Sequence, residues 1–182
     1  MIKLQIYCFH IGHQDIVDFL VNKAKVEVDP IGTRRITPLH LACEKGHVEI
    51  VRLLLQAGAS TTFRNGQVYN CLEIAITNQQ KLVVEKLCQQ PAMKEMMRNA
   101  QQIEGTEAFD TPMRKLIRYM PDMAVWLIDN KLTTVAGGPG QKICKKIYDY
   151  EFYEDMCAVK DWYAQGKRCT VALAKDIFAN DL

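Results

Sequence analysis

The sequence predicts an all-α solenoid of stacked helix-turn-helix repeats, followed by a small irregular α/β extension, and three observations predict it. One phrase returns at a period of 33 residues: Thr37-Pro38-Leu39-His40 is answered by Asn70-Cys71-Leu72-Glu73. Each phrase opens two short runs of helical periodicity separated by a turn. One such helix pair cannot bury its apolar face alone, so the copies must stack on one another.

The stretch from Thr37 to Ser60 carries the signal most completely. Thr37 is a good N-cap, and Pro38 at the first helical position loses nothing by lacking an N–H. Leu39, Leu41, Ala42 and Cys43 give the first helix its apolar surface, with Ala42 small enough to let a neighbour come close. Gly46-His47 reverses the chain, since glycine tolerates the required turn. In the second helix Val48, Ile50, Val51, Leu53, Leu54 and Leu55 form one broad face, opposite Glu49, Arg52 and Gln56, and Gly58 closes it. Downstream, Ala75 repeats Ala42, and Leu82-Val83-Val84 with Leu87 repeats the second helix. Upstream, Cys8 stands for Ala42, Gly12-His13 for Gly46-His47, and Asp15 to Val21 for Glu49 to Leu55. Helix pairs of this phrase at this spacing resemble ankyrin repeats, whose period is about 33 residues.

Three segments follow from this reading: three repeats over 1–90, the first truncated; a linker helix and degenerate terminal repeat over 91–130; and a Gly-rich loop, strand and tail over 131–182. The opening Lys3-Leu4-Gln5-Ile6 has neither Thr nor Pro and no polar capping repeat before it, which predicts a piece of a longer array or a shortened gene product. Lys25 to Ile36 and Ser60 to Tyr69 are the inter-repeat fingers, the second turning at Asn65-Gly66. Pro91 ends the third repeat. Met93 to Gln102 is expected to be a short helix with Met96 and Met97 on its apolar side, then a polar irregular stretch to Asp110. Thr111-Pro112-Met113 restarts a first helix, and Asp122 is expected to cap a second through Met123, Val125, Trp126, Leu127 and Ile128. Val135 to Gln141 reads as a Gly-rich loop. Ile147 to Tyr153 alternates as a strand, with Tyr148, Tyr150 and Phe152 on one face and Asp149 and Glu151 on the other. Met156 to Leu182 reads as helical in part, interrupted at Gly166-Lys167-Arg168.

Composition narrows the function. The formal charge of +2 leaves no strongly basic face of the kind that binds nucleic acid. Seven cysteines, with Cys8, Cys43, Cys71 and Cys88 in repeat helices, fit buried reduced thiols better than a disulfide framework. No run approaches the roughly 18–20 apolar residues of a membrane span.

Candidate chemistry is sparse. Cys8, His10 and His13 have a spacing that suggests zinc, but Cys8 takes a core alanine position and His13 the turn histidine, and no fourth ligand is in reach. His40 and His47 likewise hold structural places. Gly137 to Lys142 lacks the Gly-Lys-Ser/Thr ending of a phosphate loop. No catalytic set stands out, so no enzyme activity, cofactor or metal is expected. Cys144 differs in kind: Lys142, Lys145 and Lys146 flank it, and their positive field favours the reactive thiolate.

Residues 111–157 carry a further resemblance. Thr111-Pro112-Met113-Arg114-Lys115-Leu116-Ile117-Arg118-Tyr119-Met120-Pro121-Asp122-Met123, then Leu127-Ile128-Asp129, then Ile147-Tyr148-Asp149-Tyr150-Glu151-Phe152 resemble the segment between the last repeats and first membrane helix of transient receptor potential ankyrin-type (TRPA) cation channels. Asn70 to Leu87 is similar to the last repeat of that family. The resemblance implies a subunit of a tetrameric, non-selective, calcium-permeable plasma-membrane channel, with these residues at the cytoplasmic face. It also implies electrophile sensing by membrane-proximal cysteines, for which Cys157 matches by position and Cys144 lies one residue out of register. Thr111 and Met123 stand where some members carry cysteine. Ala158 to Leu182 leads into no membrane helix, so these residues are expected not to conduct ions.

Two functions therefore stand side by side: a scaffold and stimulus-coupling part of a TRPA-like channel, or a free-standing cytoplasmic ankyrin module that binds a protein partner. Arg34, Arg35, Phe63 and Arg64 on the finger loops are the partner-contact candidates. A redox sensor or enzyme built on Cys144 and Cys157 is a more distant third.

Overall fold

The computed structural model describes residues 12–103, 109–136, 145–149 and 151–152. Helix α1 (Gln14–Asp18) continues as a π-type turn over Phe19–Lys23. It is followed by α2 (Pro38–Lys45), α3 (Val48–Gln56), α4 (Cys71–Thr77), α5 (Lys81–Cys88), α6 (Met93–Met97), α7 (Pro112–Tyr119) and α8 (Pro121–Leu127), the last running into a π-type turn over Ile128–Leu132. The helices form two rows. First helices α2, α4 and α7 pack in sequence, as do second helices α1, α3, α5 and α8, and each first helix packs on its own second helix. This is the stacked repeat solenoid that the 33-residue period predicts, and α7 and α8 pack onto its two rows.

The caps form as their residue types dictate. The Thr37 hydroxyl accepts the His40 N–H at 3.4 Å, the Asn70 side chain accepts the Glu73 N–H at 3.0 Å, and the Thr111 hydroxyl accepts the Arg114 N–H at 3.3 Å. Gly46 ends α2 at φ 76°, in the left-handed region that glycine enters without strain. Ala42 and Ala75 are fully buried, so the rows approach closely, and Leu39, Leu54, Leu72, Leu87 and Leu116 fill the space between them. Met96 and Met97 are buried as expected. Leu82 and Val125 are not: they are 65% and 58% exposed. Neighbouring helical residues point about 100° apart, so Val83, Val84 and Leu87 take the buried stripe of α5, and Met123, Ala124 and Leu127 that of α8.

Four expectations beyond the repeats need correction. The helix after Pro91 stops at Met97, because Asn99 turns its side chain into the core and Gln101–Gln102 (β1) leaves to pair antiparallel with Phe109–Asp110 (β2) inside the stretch read as irregular. Asp122 does not cap α8. Pro121 is its first residue and Met120 precedes it, with no side-chain cap. The Gly-rich segment begins as a strand, Thr133–Ala136 (β3), paired antiparallel with Lys145–Tyr148 (β4). That second strand is shorter than the alternation of Ile147 to Tyr153 suggests. Asp149 ends it: its N–H donates to the Leu132 carbonyl at 2.7 Å and its carboxylate accepts the Glu151 N–H at 3.2 Å, an Asx-type turn. Phe152 then packs into the core at 4% exposure, whereas Tyr148 stays 39% exposed.

Candidate partner-binding groove

The fourth residue of the repeat phrase builds the groove. In α2 it is His40, buried against its own cap. The Thr37 backbone N–H can only donate, and it reaches His40 Nδ1 at 3.1 Å; the Phe63 carbonyl can only accept, and it lies 3.1 Å from Nε2. The ring is therefore the neutral tautomer with its proton on Nε2. Burial pushes the His40 pKa below 6.5, outweighing the opposing pull of its backbone hydrogen bonds. One imidazole thus ties α2 to the following finger.

In α4 the equivalent residue is Glu73, fully buried. Its carboxylate closes the cap by accepting the Asn70 N–H at 3.1 Å, and it also accepts from the Asn99 side chain. Its other oxygen meets Lys115 Nζ of α7 at 2.5 Å, with both side chains out of solvent. The Lys115 ammonium lies 3.6 Å from Asp110 and 4.4 Å from the centre of the Tyr69 ring. Asn99 and Gln101 donate to the Val68 carbonyl at 2.9 and 3.0 Å. This holds Val68 at φ 66°, a conformation that a β-branched residue adopts only under constraint. The network thus shapes the second finger from behind.

The two fingers meet at their tips. Gly66 N–H donates to the Arg34 carbonyl at 2.6 Å, and a Cβ on Gly66 would stand 3.0 Å from that oxygen. Asn65 fixes the turn by accepting the Gln67 and Tyr69 N–H groups at 2.9 and 3.0 Å. Between the fingers and the first-helix row lies a cavity of about 570 Å³. Arg34, Ile36 and Tyr69 line its finger side; Glu44, Ile74 and Thr77 line its helix side. Arg34 and Arg35 both take left-handed backbone, at φ 59° and 57°. Arg34, Arg35 and Arg64 are exposed and Phe63 is 38% exposed; of these four candidates Arg34 lines the cavity, and the others lie on the same two fingers.

The cysteines divide differently. Cys43, Cys71 and Cys88 are buried free thiols. Burial raises the Cys43 pKa well above its ordinary value, with Cys71 adding to it, and pushes Cys88 to about 12 despite Lys131, so neither offers a thiolate at neutral pH. Cys144 and Cys157 lie outside the described residues, as do Cys8 and His10; His13 is exposed just before α1.

A family model described as ankyrin repeats, in three copies, matches residues 4–99. This is more than half of the chain, which belongs to the ankyrin-repeat family, a class of protein-interaction module. Among curated proteins, it is 32% identical over 65 residues to alpha-latrocrustotoxin-Lt1a of Latrodectus tredecimguttatus, covering 36% of this chain and 5% of that protein. It is 38% identical over 61 residues to palmitoyltransferase ZDHHC13 of Homo sapiens, covering 34% of this chain and 10% of that protein. The chain thus spans a tenth or less of the length of these relatives. Among solved structures, a chain from the complex of the predatory endopeptidase Bd0816 of Bdellovibrio bacteriovorus with the immunity protein Bd3460 superposes with a TM-score of 0.55 at 22% identity, covering 70% of this chain and 63% of that one, a likeness of fold. Among the described residues no helix is long and apolar enough to cross a membrane.

Proposed function

We propose that this chain is a protein-interaction scaffold whose partner lies along the groove between the finger loops and the row formed by α2, α4 and α7. The observation that carries this reading is the pre-shaped cavity of about 570 Å³, walled by fingers that are bonded to each other and braced from behind by Glu73 and Lys115. A surface ordered before binding loses little entropy when a partner arrives. Segments 1–90, 91–130 and 131–182 serve as repeat array, terminal unit and extension. A photo-crosslinking residue at Thr77, on the cavity wall, is expected to capture one defined protein in cells, and the same residue at Arg52 on α3 is expected not to. Equal capture at both positions, or none at Thr77, would overturn the reading.

A second reading is that the scaffold is the cytoplasmic, membrane-proximal part of a TRPA-like calcium-permeable channel subunit, working as a tetramer. What supports it is the order of elements in the resembling segment: third repeat, then α7 and α8, then a strand whose following Asp149 and Glu151 hold Lys94 of α6 and Arg98 just after it. In this reading Cys144 and Cys157 react with electrophiles. Sequencing the transcript beyond both ends of this coding region tests it. A reading frame that continues into membrane spans is expected, and a stop after Leu182 with no spliced continuation would overturn it.

A further inference from the structure

The finger loops concentrate positive charge in a chain that is nearly balanced overall. Arg34, Arg35 and Arg64 are exposed and have no carboxylate partner among the described residues. The two fingers that carry them are linked, because the Gly66 N–H bonds the Arg34 carbonyl and Arg64 lies two positions before that glycine. Among the described residues none of the nearby acids pairs with these arginines. Glu44, on the cavity wall, is paired with Lys45 at 3.0 Å, Asp29 accepts the Ser60 N–H at 2.8 Å, and Glu27 is exposed farther back on the first finger.

Exposed guanidinium forks on two linked fingers, one of them on the cavity wall, suit carboxylates, which they can meet bidentately. They do not make the long basic stripe that a nucleic-acid backbone requires. Behind them the cavity offers Ile36 and Tyr69 for an apolar side chain. We infer that the groove selects an acidic protein partner: an extended segment rich in aspartate or glutamate, its carboxylates on Arg34, Arg35 and Arg64 and one apolar side chain in the cavity beside Ile36. This rests on the groove being the partner surface.

The test uses the full chain and a fluorescent peptide of alternating glutamate and leucine, read by anisotropy at low and moderate salt. Its partners are the glutamine-for-glutamate peptide and a polyuridine oligonucleotide. The acidic peptide is expected to bind, to weaken as salt rises, and to bind about tenfold more weakly to the triple variant Arg34→Asn, Arg35→Asn, Arg64→Gln. Asparagine tolerates left-handed backbone, so this variant keeps its fold, which an unchanged melting temperature verifies. Lys81→Gln on α5 is expected to change nothing. Equal binding of the neutral peptide, no loss in the triple variant, or preference for the oligonucleotide would each overturn the inference. If Thr77 captures a protein while the acidic peptide fails to bind, the groove stands and the acidic selectivity falls.

Discussion

The second and third repeats use the same position of the same phrase in opposite ways. His40 stays neutral and reaches forward 23 residues to the Phe63 carbonyl. Glu73 reaches forward 42 residues to the Lys115 ammonium. In the terminal unit the same position is Arg114, exposed, whose guanidinium turns back to the Phe109 carbonyl at 2.9 Å. Each choice matches what lies next along the solenoid. His40 meets a finger that offers a carbonyl, Glu73 meets a helix that brings a cation, and Arg114, after whose helix the described residues hold no further first helix, turns back to β2. A repeat can thus keep its cap and change the joint to its neighbour.

The largest expected effect comes from breaking the charged joint on one side only. Lys115→Ala leaves the Glu73 carboxylate buried and uncompensated, and should cost about 3–5 kcal/mol in urea unfolding. Replacing both partners, as Glu73→Gln with Lys115→Met, should recover most of that loss, because the remaining amide can still serve the cap while no charge is buried. A double variant as unstable as the single one would mean that the pair is not what joins α4 to α7.

An apolar control should fall alongside or slightly below. Leu54 is fully buried between the two joints, so Leu54→Ala should destabilise by about 2–5 kcal/mol through the cavity it leaves. An unchanged melting temperature would refute the packing described for α3.

The neutral joint should reveal itself by pH. His40 titrates near 6.5 when unfolded and lower when folded, so the unfolded chain takes up the proton first on acidification. Its contribution is therefore complete above about pH 6.5 and is lost as pH falls below that value toward the folded pKa. Thermal melts between about pH 7.5 and about pH 5 should show this decline, and His40→Asn should flatten it. An identical slope in the variant would remove His40 as its source.

The smallest effect belongs to the outer latch on the extension. Burial alone would raise the Asp149 pKa, but the hydrogen bond from Lys94, the Glu151 N–H and the nearby cations outweigh it and hold it low. Lys94 of α6 and Arg98 just after it are nonetheless exposed. Lys94→Ala should cost only about 0–1 kcal/mol, and that loss should shrink in high salt. A loss comparable to that of Lys115→Ala would erase the contrast between buried and exposed joints.

Much of this molecule was legible before any coordinates. Thr37, Asn70 and Thr111 announce three helix starts, Gly46 announces a reversal, and the apolar spacing of α3 and α5 names most of the core. The finger residues Arg34, Arg35, Phe63 and Arg64 were visible as a set because the period places them between helices. Glu73 was visible as a departure from histidine, and Lys115 as a cation within the short α7, but nothing joined them. The strand Thr133–Ala136 was hidden inside a Gly-rich reading, since its partner lies further along the chain and alternation over so few residues is weak.

What the sequence determined by itself is whatever hydrogen bonds and side-chain spacing decide within a turn or two: caps, reversals, amphipathic faces and the repeat that forces stacking. What only the tertiary structure decided is which groups meet after the repeats have stacked. The Glu73–Lys115 pair, the bond from Gly66 to Arg34 and the pairing of β3 with β4 join residues that no local rule brings together. Their energies depend on burial, and burial exists only once the neighbouring repeats have excluded water.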